Sequence, residues 1–405
     1  MVLQVDGFDV STVEENSAAI RNRELGSRIE LTVARAGQQV TLSGPYVTQL
    51  PDSQVMSRVR QLAERGEIEA EFFLGYLLAH GQFTVKDDGE AVRWFRKAAE
   101  KGHAYAQNSL GWMYREGRGV AKDDTQAVAW LRKSANQGTA LAQNNLGLMY
   151  KEGRGVPKDD TEAIAWFRKA ADQGNPLAEV NLGAMYANGQ GVPKDDTEAV
   201  AWYRKAADQG NAMAQNNLGV MYKEGRGVTK DDTEAIAWFR KSANQGTALA
   251  QNNLGVMYKE GRGVTKDDTE AIAWFRKSAG QGNALGQCNL GSMYKDGRGV
   301  PRDDAEALAW YRKAVDQGNA AAQLNLGWMY ENGRGVAQDL SQAAAWYYKA
   351  AQQGNDFAQC NLGFMFENGR GVAQDVNGAV AWYRKAAAGG NQRAAEALRR
   401  LNVQP

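Results

Sequence analysis

Pairs of adjacent aspartates are the first residues in this sequence that could do chemistry, because clustered carboxylates can bind divalent metals. They stand at Asp123-Asp124, Asp159-Asp160 and Asp195-Asp196, and similar pairs recur farther along the chain. Each pair comes just before an apolar stretch with helical spacing. A carboxylate at a helix start accepts hydrogen bonds from free N–H groups and suits the helix dipole. The repetition therefore favours helix capping over metal binding.

Other candidates for catalysis are weak. The Gly-Arg-Gly loops follow no strand and do not continue into Gly-Lys-Ser/Thr, as a phosphate-binding loop would. His80 and His103 are the only histidines, and they share no metal-ligand spacing. No Ser/His/Asp or Cys/His arrangement stands out. We therefore expect no catalytic residue, no metal and no cofactor.

A fixed period organises the chain. The segment NNLGVMYKEGRGVTKDDTEAIAWFRKSA occurs at Asn216–Ala243 and again, unchanged, at Asn252–Ala279. Tryptophan recurs every 36 residues, at Trp94, Trp130, Trp166, Trp202, Trp238, Trp274, Trp310, Trp346 and Trp382. Periods of this length indicate stacked supersecondary units. The period predicts nine units: 70–105, 106–141, 142–177, 178–213, 214–249, 250–285, 286–321, 322–357 and 358–393.

Each unit is predicted to contain two helices. In unit 214–249, apolar residues at i, i+4, i+7 and i+8 form one helical stripe: Ala214, Leu218, Met221 and Tyr222. Glycines at 225 and 227 end that helix, and Asp231 with Glu234 resembles a capping box that starts the second. Gly219 lies in mid-helix, where we expect a partner helix to come close.

The repeated tryptophan is predicted to lie in the core. Burying one removes about 150–250 Å² from water, roughly 4–6 kcal/mol per unit at about 25 cal/mol per Å². Ligand stacking is the alternative. One unit cannot bury both helices alone, so neighbouring units must stack.

The pattern Ala-x-x-x-Leu-Gly-x-x-Tyr-x-x-Gly-x-Gly-Val-x-x-Asp-x-x-Glu-Ala-x-x-Trp, complete at Ala142–Trp166, resembles Sel-1-like repeats, relatives of the tetratricopeptide repeat. This resemblance implies an all-α fold, a right-handed α-solenoid of nine helix–turn–helix repeats over 70–393. It also implies a protein-binding scaffold or adaptor without catalysis. A capping helix is predicted over 56–69, and a second capping helix with a tail over 394–405.

Residues 1–43 have a different pattern. A helix is predicted over Thr12–Asn22, and strands around Ile29–Val33 and Gln39–Leu42. The stretch resembles the second half of a bacterial PDZ domain, so a small α+β fragment is expected. The strand and loop that complete a PDZ peptide site should precede Leu3, so a truncated reading frame and a decayed remnant both stay open. Residues 44–55 are predicted to form the linker.

Composition excludes several partners. With 48 basic and 47 acidic residues the net charge is +1, so the chain has no strong positive potential that would attract nucleic acid. No run of 18 apolar residues exists, so no membrane span is expected. Met1–Asn22 lacks the basic start and apolar core of a signal peptide. Cytoplasmic location is the default, while a periplasmic one stays open if the true N-terminus is missing.

Two cysteines occupy the same repeat position two units apart, at Cys288 and Cys360. Helices pack about 8–10 Å apart, so two units separate these residues beyond the roughly 7 Å Cα limit for a disulfide. Both are predicted to be small apolar fillers. The chain is compatible with a reducing compartment and does not require one.

Function is predicted on the concave wall, which the first helix of each unit normally forms. Numbering each unit from its first residue, positions 1, 5, 8 and 9 face the core, positions 3, 7 and 10 point away, and 4 and 11 flank them. The predicted partner-binding set is Trp112, Asn145, Asn181, Asn217, Asn253, Asn289, Asn325, Asn361, Trp328, Phe364, Lys151, Lys223 and Lys259. Lysines at position 10 suggest a mild preference for acidic segments.

The asparagines at position 4 have two open interpretations. In tetratricopeptide relatives, an asparagine and basic residues at matching positions clamp a peptide's backbone and carboxylate, and the resemblance transfers that role here. Alternatively, they bond neighbouring repeats and stiffen the stack. Variable position 7 is the better guide to specificity.

Two function classes remain. The first is a scaffold that binds protein or peptide segments. The second is a regulatory or targeting subunit of a larger PDZ-containing, protease-like protein. Oligomeric state is not encoded in any feature of the sequence.

Overall fold

The computed structural model describes residues 4–5, 8–9, 31–35, 38–42 and 52–403. The chain forms two compact units, Met1–Asp195 and Asp196–Pro405. All contacts described below lie within one unit or the other.

Four short strands lie near the N-terminus. Strand β1 (Gln4–Val5) pairs antiparallel with β2 (Phe8–Asp9), and β3 (Leu31–Arg35) pairs antiparallel with β4 (Gln38–Leu42). The second pair lies where alternating apolar residues predicted two strands. The predicted helix Thr12–Asn22 lies outside the described residues, so the PDZ-like fragment stays a prediction.

Within residues 52–403 every element is a helix, as the repeat pattern predicted. The helices are α1 Asp52–Glu64, α2 Ile68–His80, α3 Asp88–Glu100, α4 Ala104–Glu116, α5 Asp124–Asn136, α6 Ala140–Glu152, α7 Asp160–Ala171, α8 Pro176–Asn188, α9 Asp196–Asp208, α10 Ala212–Glu224, α11 Asp232–Asn244, α12 Ala248–Glu260, α13 Asp268–Gly280, α14 Ala284–Asp296, α15 Asp304–Asp316, α16 Ala320–Asn332, α17 Leu340–Gln352, α18 Asp356–Asn368, α19 Val376–Ala388 and α20 Gln392–Arg400. Even-numbered helices α2 to α18 are the first helices of the nine repeats. Helix α1 begins at Asp52, inside the predicted linker 44–55, and ends at Glu64.

Local signals start and stop the helices as predicted. Helix α10 ends at Gly225, whose φ of +70° is in the left-handed region that glycine adopts freely. Helix α11 starts after Asp231, whose side chain accepts hydrogen bonds from the N–H groups of Thr233 and Glu234 at 2.9 and 3.0 Å. Asp231 is therefore the N-cap, as the sequence indicated.

The core ring of each repeat is not the tryptophan but the residue after it. Phe239 is fully buried, whereas Trp238 is only half-buried. The buried row is Phe95, Leu131, Phe167, Tyr203, Phe239, Phe275, Tyr311, Tyr347 and Tyr383. Successive helical residues point about 100° apart, which places residue 239 among Ala235 and Ala243 and residue 238 at the edge.

The tryptophans border the core. Of the nine, only Trp94 is buried, and Trp274 packs against the edge of the cluster formed by α11 and α12. In every repeat the lysine three residues on lies over the indole, 3.8 to 4.3 Å from the ring centroid. The prediction of tryptophan as the core residue is wrong for eight repeats, because the ring shares its surface with a lysine and with solvent.

The mid-helix glycine is required by close approach, as predicted. A β-carbon on Gly219 would lie 2.8 Å from ring carbons of Phe239 and 3.2 Å from the carbonyl oxygen of Ala235. The same contact with a buried ring recurs at Gly75, Gly147, Gly255, Gly291, Gly327 and Gly363, and at Gly111 the Leu131 side chain takes the place of the ring. The buried ring of the second helix therefore lies directly on the backbone of the first.

Substituting alanine at two helical glycines should have opposite effects. Gly219→Ala forces the Phe239 ring to move and should destabilise the protein by about 1–3 kcal/mol. Gly280→Ala in α13 has nothing within 4 Å of its β-carbon and should stabilise by about 0.5–1 kcal/mol. Urea unfolding followed by circular dichroism measures both. Equal effects would contradict the close-approach explanation.

Replacing the neighbouring aromatic residues Trp238 and Phe239 by alanine, one at a time, should show which of them lies in the core. Phe239→Ala empties a fully buried site and should cost about 3–5 kcal/mol. Trp238→Ala removes a half-buried ring and should cost clearly less. Phe275→Ala, in the identical repeat, is the matched control and should equal Phe239→Ala. Hydrogen exchange showing greater loss of protection for Trp238→Ala would contradict the assignment of the core ring.

Candidate partner-binding surface

Exposed and half-buried residues of the first helices recur in register on one side of these helices in the unit Asp196–Pro405. On α10 they are the exposed Met213 and Glu224 with the half-buried Asn217 and Val220 between them, at i, i+11, i+4 and i+7, and therefore on one side of the helix. The equivalents are Leu249, Asn253, Val256 and Glu260 on α12, and Leu285, Asn289, Ser292 and Asp296 on α14. Helices α16 and α18 continue it. We call this surface the first-helix face.

The first row of this face is apolar and strongly exposed. Met213 is 60%, Leu249 41%, Leu285 45% and Phe357 59% exposed. Leu177 on α8 holds the same position in the other unit. These residues were missed in the sequence because units framed from residue 214 place Met213 at the end of the preceding unit, where it reads as a loop residue. The signal was present as an apolar residue two positions after the first-helix cap in eight of the nine repeats, the first repeat having Glu69 there.

The second row is asparagine, and it joins successive repeats. Asn253 Nδ2 donates to Asn216 Oδ1 at 2.9 Å, and Asn289 Nδ2 donates to Asn252 Oδ1 at 2.8 Å. In the other unit, Asn145 bonds Asn108 and Asn181 bonds Asn144, at 3.0 and 2.9 Å. These bonds match the stack-stiffening interpretation. Each uses only one of the two amide hydrogens of the donor.

The remaining predicted asparagines have other partners. Asn217 Oδ1 accepts from Asn216 Nδ2 at 3.3 Å. Asn325 donates to the Ala321 carbonyl at 3.0 Å, and the Asn361 side chain is hydrogen-bonded to Tyr347. All seven predicted asparagines are half-buried.

Position 3 does not point away from the core, contrary to the prediction. Asn108, Asn144, Asn216 and Asn252 are buried, as is Cys288 at the same position. The reason is that the neighbouring repeat covers this side of the helix, which a single-helix wheel does not include.

The aromatic residues at position 7 lie beneath cations. The Arg118 guanidinium is 4.8 Å from the Trp112 ring centroid, and Arg370 is 5.5 Å from that of Phe364. Trp328 has both Lys295 and Arg334 over it, at 5.2 and 5.5 Å. Phe364 remains the most open, since 39% of it is exposed.

At the C-terminal end of each of these first helices, the residue in the middle of the face is acidic. The Glu224 side chain is 41% exposed, whereas Lys223 is 26% exposed, and the two lie 4.0 Å apart. Glu260 and Asp296 hold the same place on α12 and α14, again as the last helical residue. An acid at a helix C-terminus is disfavoured by the helix dipole. The predicted lysines, Lys151 included, lie half-buried on the flank rather than at the centre.

Some residue differences between the first helices are explained by contacts with the core. Where the core ring is tyrosine, a first-helix side chain pairs with its hydroxyl. The Tyr347 and Tyr383 hydroxyls donate to Glu331 and Glu367 at 2.7 and 2.8 Å, and Tyr311 pairs with Ser292 at 3.0 Å. Burial raises the pKa of Tyr203 to about 12. These first-helix acceptors therefore belong to the stack.

The aspartate pairs divide two tasks, only one of which was predicted. The first aspartate of each pair caps the helix. Except at Asp160, where residue 190 is glutamine, the second binds the loop arginine of the next repeat: Arg262 bonds both carboxylate oxygens of Asp232, at 2.6 and 3.1 Å, and the Lys223 carbonyl at 3.2 Å. The sequence signal was the constant 30-residue spacing between this aspartate and the arginine.

A groove of about 640 Å³ lies where the first-helix face meets the cap helix α20. It is lined by Trp328, Phe364, Tyr383, Arg393 and Arg400, among others. Cys360 also lines it, and burial raises the pKa of its thiol. Burial likewise raises the pKa of Cys288, to about 11, so neither thiol is primed as a nucleophile.

Among the described residues, no three His, Cys, Asp or Glu side chains are grouped to hold a metal ion. No helix in that part of the chain has the length and apolarity that crossing a bilayer requires.

Comparison with known proteins identifies the repeat. The family profile described as Sel1 repeat matches nine times, at 68–103, 104–139, 140–175, 176–211, 212–247, 248–283, 284–319, 320–355 and 356–391. The predicted units had the same period and number but began two residues later. No PDZ family profile matches residues 1–43.

Two solved structures are similar over most of the chain. A protective antigen of uropathogenic Escherichia coli with an SLR fold is 42% identical over 86% of this chain and 76% of its own, with a TM-score of 0.66. A Sel1 repeat protein from Oxalobacter formigenes is 35% identical over 84% of this chain and 97% of its own, with a TM-score of 0.54. A comparison with curated proteins gave no match.

The pair Arg262–Asp232 should make stability depend on acid pH. The hydrogen bond from Arg262 holds the pKa of the Asp232 carboxyl below its usual range. The pair therefore stabilises the fold above about pH 4, the ordinary aspartate range, and this contribution is lost as pH falls through the lower folded-state pKa.

Arg262→Gln should accordingly be less stable than wild type at pH 7, and the difference should shrink near pH 3. Urea unfolding at both values measures it. Arg276→Gln, whose arginine bonds only the Tyr294 hydroxyl, is the control without a carboxylate partner. A difference that grows on acidification would refute the assignment.

Proposed function

This chain belongs to the Sel1 repeat family, and we propose that it is a non-catalytic scaffold that binds segments of partner proteins on its first-helix face. Proteins built from such repeats are typically interaction scaffolds. The observation that carries the proposal is the exposed apolar row Met213, Leu249, Leu285 and Phe357.

The fold does not require these exposed side chains, because they are not part of the core. The core is already closed by residues such as Leu254 and Phe275, which are fully buried. Single exposed apolar residues are ordinary, but Met213, Leu249 and Leu285 recur in register on three successive first helices, and Phe357 follows after the smaller Ala321, which together make an apolar patch. Such patches on folded proteins mark sites of protein interaction.

Aromatic residues supply candidate anchors within each unit. Trp112 lies in one unit, and Trp328 and Phe364 lie in the other, at position 7 of their repeats. Aromatic side chains commonly dominate binding energy at interfaces. The asparagines Asn217, Asn253, Asn289, Asn325 and Asn361 and the lysines Lys223 and Lys259 border the first-helix face, and Asn145, Asn181 and Lys151 hold the equivalent positions in the unit Met1–Asp195. We propose that these side chains also contact the partner, in addition to the hydrogen bonds that they make within the stack of repeats.

The second function class rests on residues 1–43, outside the repeats. A regulatory or targeting role in a larger PDZ-containing protein gains no support from the repeats themselves, because their exposed rows are explained without it. It stays a prediction from the sequence.

Charge placed on the apolar row should abolish partner binding. Leu249→Asp/Leu285→Asp puts carboxylates at the second residue of α12 and α14, where the helix dipole tolerates them. The matched control, Thr233→Asp/Thr269→Asp, puts the same charges at the second residue of α11 and α13, on exposed positions outside the face.

Affinity capture from native extracts followed by mass spectrometry, with helicity checked for each protein, measures the effect. We expect the control to retain the wild-type partners and the Leu249/Leu285 variant to lose them. If both folded variants retain every partner, the first-helix face is not the binding surface.

A further inference from the structure

One repeat keeps the aspartate that binds a loop arginine but lacks the arginine. In six other repeats the second aspartate of a pair binds the arginine 30 residues later: Asp88, Asp124, Asp196, Asp232, Asp268 and Asp304. Asp160 has the same place in its repeat, and residue 190 is glutamine. We propose that Asp160 and the carbonyl of Lys151 bind the guanidinium group of an arginine that a partner protein supplies.

The repeats that contain the arginine show what this site holds. Arg154 donates from Nη2 to Asp124 Oδ1 at 2.7 Å and from Nε to Asp124 Oδ2 at 3.1 Å. Its Nη2 also donates to the carbonyl of Arg115, in the last turn of α4, at 3.0 Å. Arg262 and Arg298 make the same three bonds. The site therefore fits a planar guanidinium, whose fixed fork of donors an ammonium group does not match.

The same acceptors are present around Asp160. Its Oδ1 is buried and has no hydrogen-bond partner. The carbonyl 39 residues before position 190, the spacing of Arg115 from Arg154, is that of Lys151. Lys151 lies in the last turn of α6, where carbonyls lack partners within the helix and the helix dipole favours a cation. Because a buried carboxylate oxygen without a donor is costly, a donor that reaches it gains binding energy.

The nearby lysine does not take the arginine's place. Lys158 Nζ lies 3.5 Å from Asp160 Oδ2, and the lysine side chain is 59% exposed. In the first repeat Lys86 lies at the same distance from Asp88 Oδ2, while Arg118 binds both oxygens of that aspartate. The two cations therefore occupy separate positions, and Lys158 leaves Oδ1 of Asp160 without a donor.

The loop at residue 190 also leaves this oxygen unbound. Gln190 is half-buried, and its side chain makes no hydrogen bond with Oδ1 of Asp160. A β-carbon built on Gly191 would lie 2.7 Å from the Asp160 carbonyl oxygen, whereas one on Gly155 would lie 2.1 Å from that of Asp124. The loop is therefore slightly farther from the helix than where an arginine joins the two. The Asp160 side chain is 24% exposed, so a partner can reach the carboxylate.

The opposite replacement, in which the aspartate is lost, is compensated within the chain. Residue 340 is leucine, and Arg370, the arginine 30 residues later, lies 3.4 Å from Glu331 instead. Asp160 has no such second partner for Oδ1. Since three bonds to one guanidinium give little affinity against the entropy cost of association, we infer that further contacts of a protein partner hold the arginine in place.

The site can be tested apart from the proposed function. Asp160, Lys151 and Gln190 lie in the unit Met1–Asp195, whereas the first-helix face is defined in the unit Asp196–Pro405. Either proposal can therefore fail without the other.

NMR titration of the full-length, 15N-labelled protein tests the site with four probes. N-acetylarginine amide carries the guanidinium, and the peptide Gly-Ser-Arg-Ser-Gly presents it on a protein backbone. N-acetyllysine amide has a charge without the fork, and N-acetylcitrulline amide has a similar shape without the charge. The amide signals of Asp160, Gln190 and Gly191 report binding.

We expect saturable shifts with the two arginine probes and none with the lysine or citrulline probe. Asp160→Asn should weaken binding about tenfold or more, the fold-change that losing a charge-assisted hydrogen bond represents. Gln190→Arg should abolish binding, because its own guanidinium fills the site, and should raise the urea midpoint of unfolding. Arg262→Gln removes the arginine from Asp232 in the same way, so this matched control should gain a second site there. Circular dichroism checks that each variant is folded.

The proposal is overturned if no saturable shift occurs at Asp160, whether or not Arg262→Gln binds arginine at Asp232. Equal binding of the lysine probe would also overturn it, because the site would then be a general contact for cations. Binding of N-acetylarginine amide without binding of the peptide would identify a small guanidinium compound, rather than a protein, as the ligand. Each of these outcomes leaves the capture experiment on the first-helix face to decide the proposed function separately.

Discussion

The contact between a buried ring and a glycine backbone is the interaction on which each repeat depends. In the repeat of α10 and α11, the Phe239 ring lies where the β-carbon of residue 219 would be. This contact sets the distance between the two helices, and that distance determines which residues around it are buried. Ala235 and Leu218 are fully buried as a result. The first helix cannot then rotate without opening the core, so the residues on its opposite side are held at fixed positions.

Polar side chains make the equivalent connection between repeats. Gln245 Nε2 donates to Gln215 Oε1 at 2.8 Å and to the Gly210 carbonyl at 2.9 Å, while Gln215 donates to the Ala207 carbonyl at 3.2 Å. The arginine–aspartate pair and the asparagine pairs add two further links. Because such bonds are directional, they fix the register of one repeat on the next, whereas apolar contacts alone would tolerate sliding. This accounts for the near-constant residues away from the core.

The remaining variation between repeats lies largely at positions that neither contact serves. Residues that bond a core tyrosine, such as Glu331 and Ser292, are set by the ring opposite them. The apolar row pairs with no core tyrosine, and the acidic helix ends contact only neighbouring lysines and loop arginines, as Glu224 does at 3.6 to 4.0 Å. An exposed leucine and an acid at a helix C-terminus each work slightly against stability, and departures from local rules are expected at functional sites. Their recurrence every 36 residues makes the surface itself periodic.

The sequence alone determined the elements and their limits, because these depend on neighbours in the chain. The 36-residue period, the aspartate N-caps, the glycine stops and the close approach at Gly219 could all be predicted in this way. Only the tertiary structure decided which of Trp238 and Phe239 fills the core, since both lie on the apolar side of one helix and the partner helix selects between them. It also decided that Asn216 is buried and that Met213 is exposed. The physical reason is that a residue such as Asn216 is covered by a helix about 37 residues away, whose position no local pattern encodes.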